Sequence, residues 1–143
     1  MDKRILGIDY GSAKVGVAVS DPLRIIAQGI ATLPNDKRLI ERLAELADEY
    51  DVEIVVVGMP FTLKGEKGQK AMEVEKFIES LTSRLRAEIV TFDERFTSRI
   101  AEQTLRQMGT TAKQRRNKGR IDAMASALIL QSFLDQTKHS SGC

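Results

Sequence analysis

Three acidic positions in this chain sit at the ends of apolar elements: Asp9 closes the run Ile5-Leu6-Gly7-Ile8, the pair Asp93-Glu94 closes Ile89-Val90-Thr91-Phe92, and Asp122 opens an alanine-rich stretch. A carboxylate in such a place is costly to desolvate unless it is paired, so a cation partner would account for all three. The single histidine, His139, and the single cysteine, Cys143, lie in the polar end of the chain, which argues against a His-based triad or a zinc site. A metal would have to be held by carboxylate oxygen. That chemistry suits magnesium or manganese, which accept a few acids and leave positions for water and phosphate oxygen. Two such ions about 4 Å apart would activate a water and steady the leaving oxygen in phosphodiester cleavage. Taken singly, each acid also reads as a turn or cap residue. Asp9 stands two residues before Gly11, and Asp122 at a helix start is favoured by the helix dipole.

A second cluster of charge favours the metal reading. Between Gln103 and Ile121 there is no acid, while Arg106, Lys113, Arg115, Arg116, Lys118 and Arg120 are basic. A solvated helix face mixes both signs, whereas an acid-free basic run suits a polyanion, whose bound counterions are released on contact. Arg95, Thr97 and Ser98 follow the acid pair directly and add phosphate donors, with the helix amides behind them as an anion site. Thr97 or Ser98 reads equally well as a helix cap. Lys14 is a further phosphate contact in the loop after Asp9, and Arg115, Arg116 and Lys118 are the favoured contacts in the basic run.

The elements that must position these groups can be read from periodicity. Strands are expected at 4–8, 14–20 and 25–33, the last two divided by Asp21-Pro22, which makes an antiparallel meander. Asn35 or Asp36 caps a helix whose apolar face is Leu39, Ile40, Leu43, Leu46 and Ala47, ending near Tyr50. The run Val52 to Val57 reads as a central strand covered on both faces, ending at Gly58-Met59-Pro60. Phe61 to Gly68 is an exposed glycine-containing loop. A helix with Ala71, Val74, Phe77, Ile78, Leu81 and Leu85 on its buried face then leads to the strand Ile89 to Phe92. Thr97 or Ser98 caps a helix through Met108, stopped by Gly109. The final helix spans 121–134, with Ala125, Leu128, Ile129 and Leu134 facing the sheet and small Ala123, Ser126 and Ala127 allowing close approach.

Three strands followed by alternating helix and strand predict an α/β fold with a mixed five-stranded sheet, three antiparallel strands and then parallel ones, flanked by helices. Asp9 and Asp93-Glu94 then fall at carboxyl ends of strands, where sites in such sheets gather. The 143 residues make one domain, 1–137, with a polar tail at 138–143. Apolar content of 42%, charged content of 29% and a net charge of +2 are those of an ordinary globular protein. No apolar run reaches the ~20 residues of a membrane span, and Met1-Asp2-Lys3-Arg4 leads into a strand rather than a signal peptide. A cytoplasmic protein is the expectation.

Four motifs together, Gly7-Ile8-Asp9-Tyr10-Gly11, Val56-Val57-Gly58-Met59-Pro60, Asp93-Glu94-Arg95-Phe96-Thr97-Ser98 and Lys118-Gly119-Arg120-Ile121-Asp122-Ala123, resemble the YqgF (RuvX) family of Holliday junction resolvases, also described as pre-16S rRNA nucleases. The resemblance runs from about Ile5 to Leu134. It implies a ribonuclease H-like fold and metal-dependent nuclease activity at the 5′ end of immature 16S rRNA in bacteria. It carries over Asp9 as the first-strand ligand, Glu94 as the strand-five acid and Asp122 as the last-helix acid, and Asp93 is a fourth candidate ligand. Two positions depart from the related RuvC resolvases. Gly58-Met59 stands where those enzymes end their fourth strand in glutamate, and Gly119 stands where they carry a second acid one turn before the last.

The expected partner is nucleic acid, either pre-rRNA or a ribosomal particle, or branched DNA, met by a monomer or homodimer. Two other functions fit parts of the pattern. A non-catalytic RNA-binding ribosome assembly factor would share the basic run and cut nothing. Actin-like and sugar kinases open with a similar strand-Asp-x-Gly-strand unit on ATP phosphates, but they need two lobes, and this chain has room for one.

Overall fold

A computed structural model describes residues 3–60, 68–93 and 118–141, with side chains in the last stretch described at 124–136. Strands β1 (Arg4–Asp9), β2 (Lys14–Ser20) and β3 (Ala27–Pro34) form the antiparallel meander. Helix α1 (Leu39–Glu49), strand β4 (Val52–Met59), helix α2 (Gln69–Arg84) and strand β5 (Glu88–Asp93) follow, and α3 (Lys118–Ser141) closes the described chain. The sheet order is β3-β2-β1-β4-β5, with β4 parallel to both β1 and β5. This is the mixed sheet expected from the sequence. The loop at 61–67 and the predicted cap and helix between Thr97 and Gly109 lie outside the described residues.

Side-chain alternation divides the core into two layers. Leu6 and Ile8 of β1, Val15, Val17 and Val19 of β2 and Val55, Val57 and Met59 of β4 pack with Leu39 and Leu43 of α1 and with Val74, Phe77 and Leu81 of α2. Ile5, Ala18, Val56 and Phe92 point the other way and meet Ile129, Leu130 and Leu134 of α3. The valines 55 to 57 of β4 are fully buried because this strand is covered on both faces, which explains their unbroken apolar run.

Three element boundaries differ from the periodicity. β3 begins at Ala27 because Ile25 and Ile26 belong to a turn: both of their N–H groups donate to Oδ1 of Asp21, at 2.7 and 2.9 Å, and Arg24 takes a left-handed φ of 59°. α1 begins at Leu39, since Asp36 caps the preceding turn instead, accepting the Arg38 N–H at 2.9 Å. α3 runs on to Ser141 through most of the expected polar tail, because after Gly119 no glycine or proline interrupts it before Gly142. Its most deeply buried apolar residue is Leu130, not Leu128, which is only half-buried.

The Asp21 turn has a pH signature. Hydrogen bonds from backbone N–H groups, that of Ile26 foremost, hold its carboxyl below the ordinary value of 3.8. A depressed carboxyl contributes stability that is complete above the unfolded value and is lost as pH falls through the folded one. Asp21→Asn is therefore expected to lower the thermal midpoint at pH 7, and to lower it less at pH 3. Melting curves at the two pH values check this, and an equal effect at both would refute it.

Candidate active site

β1 presents Ile5, Gly7 and Asp9 to the α3 side of the sheet, and Asp9 is its last residue. Across the antiparallel pair Asp9 faces Gly16; on the other side, the pairing of Ile8 with Val57 sets Asp9 level with Gly58, which in turn pairs with Phe92. The row across this face thus reads Gly16, Asp9, Gly58, Phe92. Strands spaced about 4.8 Å apart leave roughly 10 Å between Asp9 and Phe92 in which the sheet carries no side chain. A half-buried carboxylate stands there on a rigid strand, with a glycine level with it on each neighbouring strand. An all-oxygen donor in a glycine-cleared row fits a hard divalent cation and the phosphate oxygens it would share.

The loop after Asp9 is held by backbone contacts. A Cβ at Gly11 would lie 2.3 Å from the carbonyl oxygen of Lys14, so close approach, not a left-handed φ, is what requires glycine. Asn35 fastens the loop to the end of β3: its Nδ2 donates to the Gly11 carbonyl at 2.8 Å and its N–H donates to that of Ala13 at 3.0 Å. Lys14 is exposed, and it shares the parity of Gly16 and Ala18, hence the face of Asp9. Gly11→Ala is expected to open this turn and to cut any turnover that depends on Asp9 at least tenfold, because Asp9 and Lys14 flank it. Turnover equal to wild type would show that the turn tolerates the change.

α3 reaches the same edge from the opposite layer. A Cβ on Gly7 would meet Leu130 Cβ at 2.7 Å and the Ser126 carbonyl oxygen at 3.2 Å, so this glycine lets the helix lie directly on β1. Farther along, Gln131 accepts the Ala27 N–H and donates to the Ile25 carbonyl, both at 2.9 Å, beside the amino end of β1. The helix therefore runs from the carboxyl end of β1 towards its amino end. Position 122, one turn before Ser126, is about 6 Å nearer to the Asp9 end. Strand alternation places Asp93 with Thr91 and Ile89, on the face opposite Phe92 and Asp9.

Of the residues singled out in the sequence, the structure brings Asp9, Lys14 and the helical turn at 122 to one edge. Lys118 also lies in α3, in its first turn. Glu94, Arg95, Thr97, Ser98, Arg115 and Arg116 lie outside the described residues, as do the side chains of Lys118 and Asp122. Among the described residues no three His, Cys, Asp or Glu side chains come together. The clearly shifted groups lie elsewhere. The Glu41 carboxyl, for example, is held low by the Arg84 guanidinium at 2.7 and 3.1 Å, an exposed link between α1 and α2. The periodicity did not identify Gly7, Gly16 or Asn35 as site-building residues. Glycines two or more apart in apolar strands were the available signal for the first two.

Solved structures share this architecture. The RuvC protein of Thermus thermophilus, solved in complex with a Holliday junction substrate, matches with a TM-score of 0.57 at 16% identity, covering 94% of this chain and 96% of that one. The fowlpox virus resolvase, solved with Holliday junction DNA, matches with a TM-score of 0.57 at 14% identity over 94% and 98% of the two chains. The fold is thus ribonuclease H-like, of the RuvC type. Within that class the chain belongs to the RuvX family, whose profile, described as Holliday junction resolvase, matches residues 3–136. Relatives in Sulfurihydrogenibium sp. (39% identical over 140 residues, 96% of this chain and 94% of the relative) and Listeria monocytogenes (42% over 138 residues, 94% and 99%) are each named "Putative pre-16S rRNA nuclease". The reaction class is phosphodiester hydrolysis, the partner class is nucleic acid, and divalent metal use accords with both family and fold. No helix among the described residues is long and apolar enough to cross a membrane.

Proposed function

We propose that this chain is a cytoplasmic endonuclease that uses Mg²⁺ or Mn²⁺ to process the 5′ end of pre-16S rRNA during ribosome biogenesis. The observation that carries this reading is the placement of Asp9: a rigid carboxylate at the carboxyl end of β1, flanked by Gly16 and Gly58 and approached by the first turns of α3. Asp9, Glu94 and Asp122 would hold the cation. Glu94 is favoured over Asp93 because Asp93 lies on the sheet face opposite Asp9, which leaves Asp93 an auxiliary part. When bound, the cation supplies the positive charge that activates water and stabilises the leaving oxygen. Lys14, Arg95, Thr97, Ser98, Arg115, Arg116 and Lys118 hold the phosphates of the strand, which sets the scissile bond against Asp9.

The test is incubation of purified protein with precursor 16S rRNA and with a four-way DNA junction, each with Mg²⁺, Mn²⁺ or a chelator. Metal-dependent scission of the RNA at its 5′ side, with the junction left whole, is expected. The family's own description favours a second reading, junction resolution, and symmetric cutting of the DNA alone would establish it. Tight RNA binding with no scission under any metal would make the chain a non-catalytic assembly factor.

A further inference from the structure

The residue after Asp9 faces the opposite layer, and there the structure holds a groove of about 320 Å³. Tyr10 has the parity of Ile8, so its ring lies on the α1 and α2 side, 4.6 Å from the Phe77 ring centre and tilted by 36°. Phe77 is buried while Tyr10 is half-buried, so Tyr10 forms a wall of the groove with Phe77 behind it. Leu39 and Ile40 continue the apolar lining, and Asn35, Asp36, Glu73, Lys76 and Ser80 provide its polar groups.

The composition selects the occupant. Two acids against one lysine make a poor phosphate site, but an aromatic wall edged by carboxylate, amide and hydroxyl groups suits a flat neutral ring that carries N–H donors. Asp36 is partly engaged already, with the Arg38 N–H at 2.9 Å and Arg42 at 3.4 Å, and the Ser80 hydroxyl donates to the Lys76 carbonyl at 3.3 Å, so the Glu73 carboxylate is the main reader, with the Asn35 and Ser80 side-chain oxygens as further acceptors. Asn35 also fastens the Asp9 loop through the Gly11 carbonyl, so the groove and the carboxylate share one support.

We propose that this groove takes an unpaired nucleobase of the nucleic-acid substrate, a few nucleotides from the scissile bond, stacked on Tyr10. A strand crossing the carboxyl edge of the sheet then has its phosphate on the α3 side, at Asp9, and a splayed base on the α2 side. Lys76 meets the phosphate beside that base. Bases stacked in a duplex cannot enter, so the groove selects sites with unpaired nucleotides. This rests on the nuclease reading above and adds to it the structural feature of the substrate that is recognised.

The test scans an abasic nucleotide through the three positions on either side of the cut in an RNA substrate. For the wild-type protein, KM is expected to rise roughly ten- to hundredfold at one position with kcat unchanged. Tyr10→Leu, which keeps an apolar contact with Phe77, is expected to raise KM on the intact substrate and to show no further rise on the abasic one, and Tyr10→Phe to restore the difference. Indifference of the wild type at every position overturns the proposal, as does a Tyr10→Leu variant that loses kcat equally on all substrates.

If the chain cuts nothing, binding still decides. The chain has two tyrosines and no tryptophan, so in Tyr50→Phe the emission comes from Tyr10 alone. Phenylalanine at 50 keeps a ring beneath the Arg4 guanidinium, which sits 5.5 Å from the ring centre. Saturable quenching by single-stranded RNA, and none by an abasic ribose-phosphate oligomer, supports the groove, whereas no quenching by either rejects it.

Discussion

Asp9→Asn is expected to abolish metal-dependent cleavage, by a factor on the order of a thousand or more, while leaving fold and RNA binding intact. The amide has the size of the carboxylate but no charge, and the neighbours of this position in the sheet are Gly16 and Gly58, so little packing changes. What disappears is the anionic oxygen proposed to hold the cation, and several kcal/mol of transition-state charge stabilisation would go with it, at tenfold in rate per 1.36 kcal/mol. A second readout does not depend on cleavage. Added Mn²⁺ should raise the thermal midpoint of the wild-type protein, because it binds the folded state alone, and should leave that of the variant unmoved. Cleavage by the variant at the wild-type rate would sink the assignment of Asp9.

Gly7→Ala carries the second large effect, on stability and activity together. In most strands this exchange would help slightly, since glycine costs conformational entropy. Here the added methyl would lie 2.7 Å from Leu130 Cβ and 3.2 Å from the Ser126 carbonyl oxygen, atoms of or next to the helix backbone that cannot swing aside. α3 must shift off β1. Overpacking of this kind costs about 1–3 kcal/mol, several degrees in the thermal midpoint. The same shift moves the turn that carries position 122, and a misplacement of about 1 Å at a reacting centre costs on the order of a hundredfold in rate. Thermal melts and single-turnover cleavage measure the two effects, and an unchanged midpoint would show that the helix has room to spare.

The β3 and α1 boundaries show where sequence pattern stops being informative. Ile25 and Ile26 have the composition of a strand, yet Asp21 draws their N–H groups into a turn, a competition that apolar periodicity does not register. Asp36 is a good cap by type and does cap, but one turn early. The α3 face was displaced as well, since Leu130 rather than Leu128 takes the deepest place, set by the glycine it meets on β1.

The sequence by itself determined the order of the described strands and helices, the mixed sheet and the position of Asp9 at a strand end, because alternation, helical spacing and turn residues are local properties of the chain. Its motifs also pointed to the RuvX family. The tertiary structure alone decided that Gly16 and Gly58 come level with Asp9, that Asp93 lies on the other face of the sheet, and that Gly7 seats the helix carrying Asp122. Each of these depends on which residues of distant segments come level across the sheet. That register is set by the packing of whole layers and is not a property of any one segment.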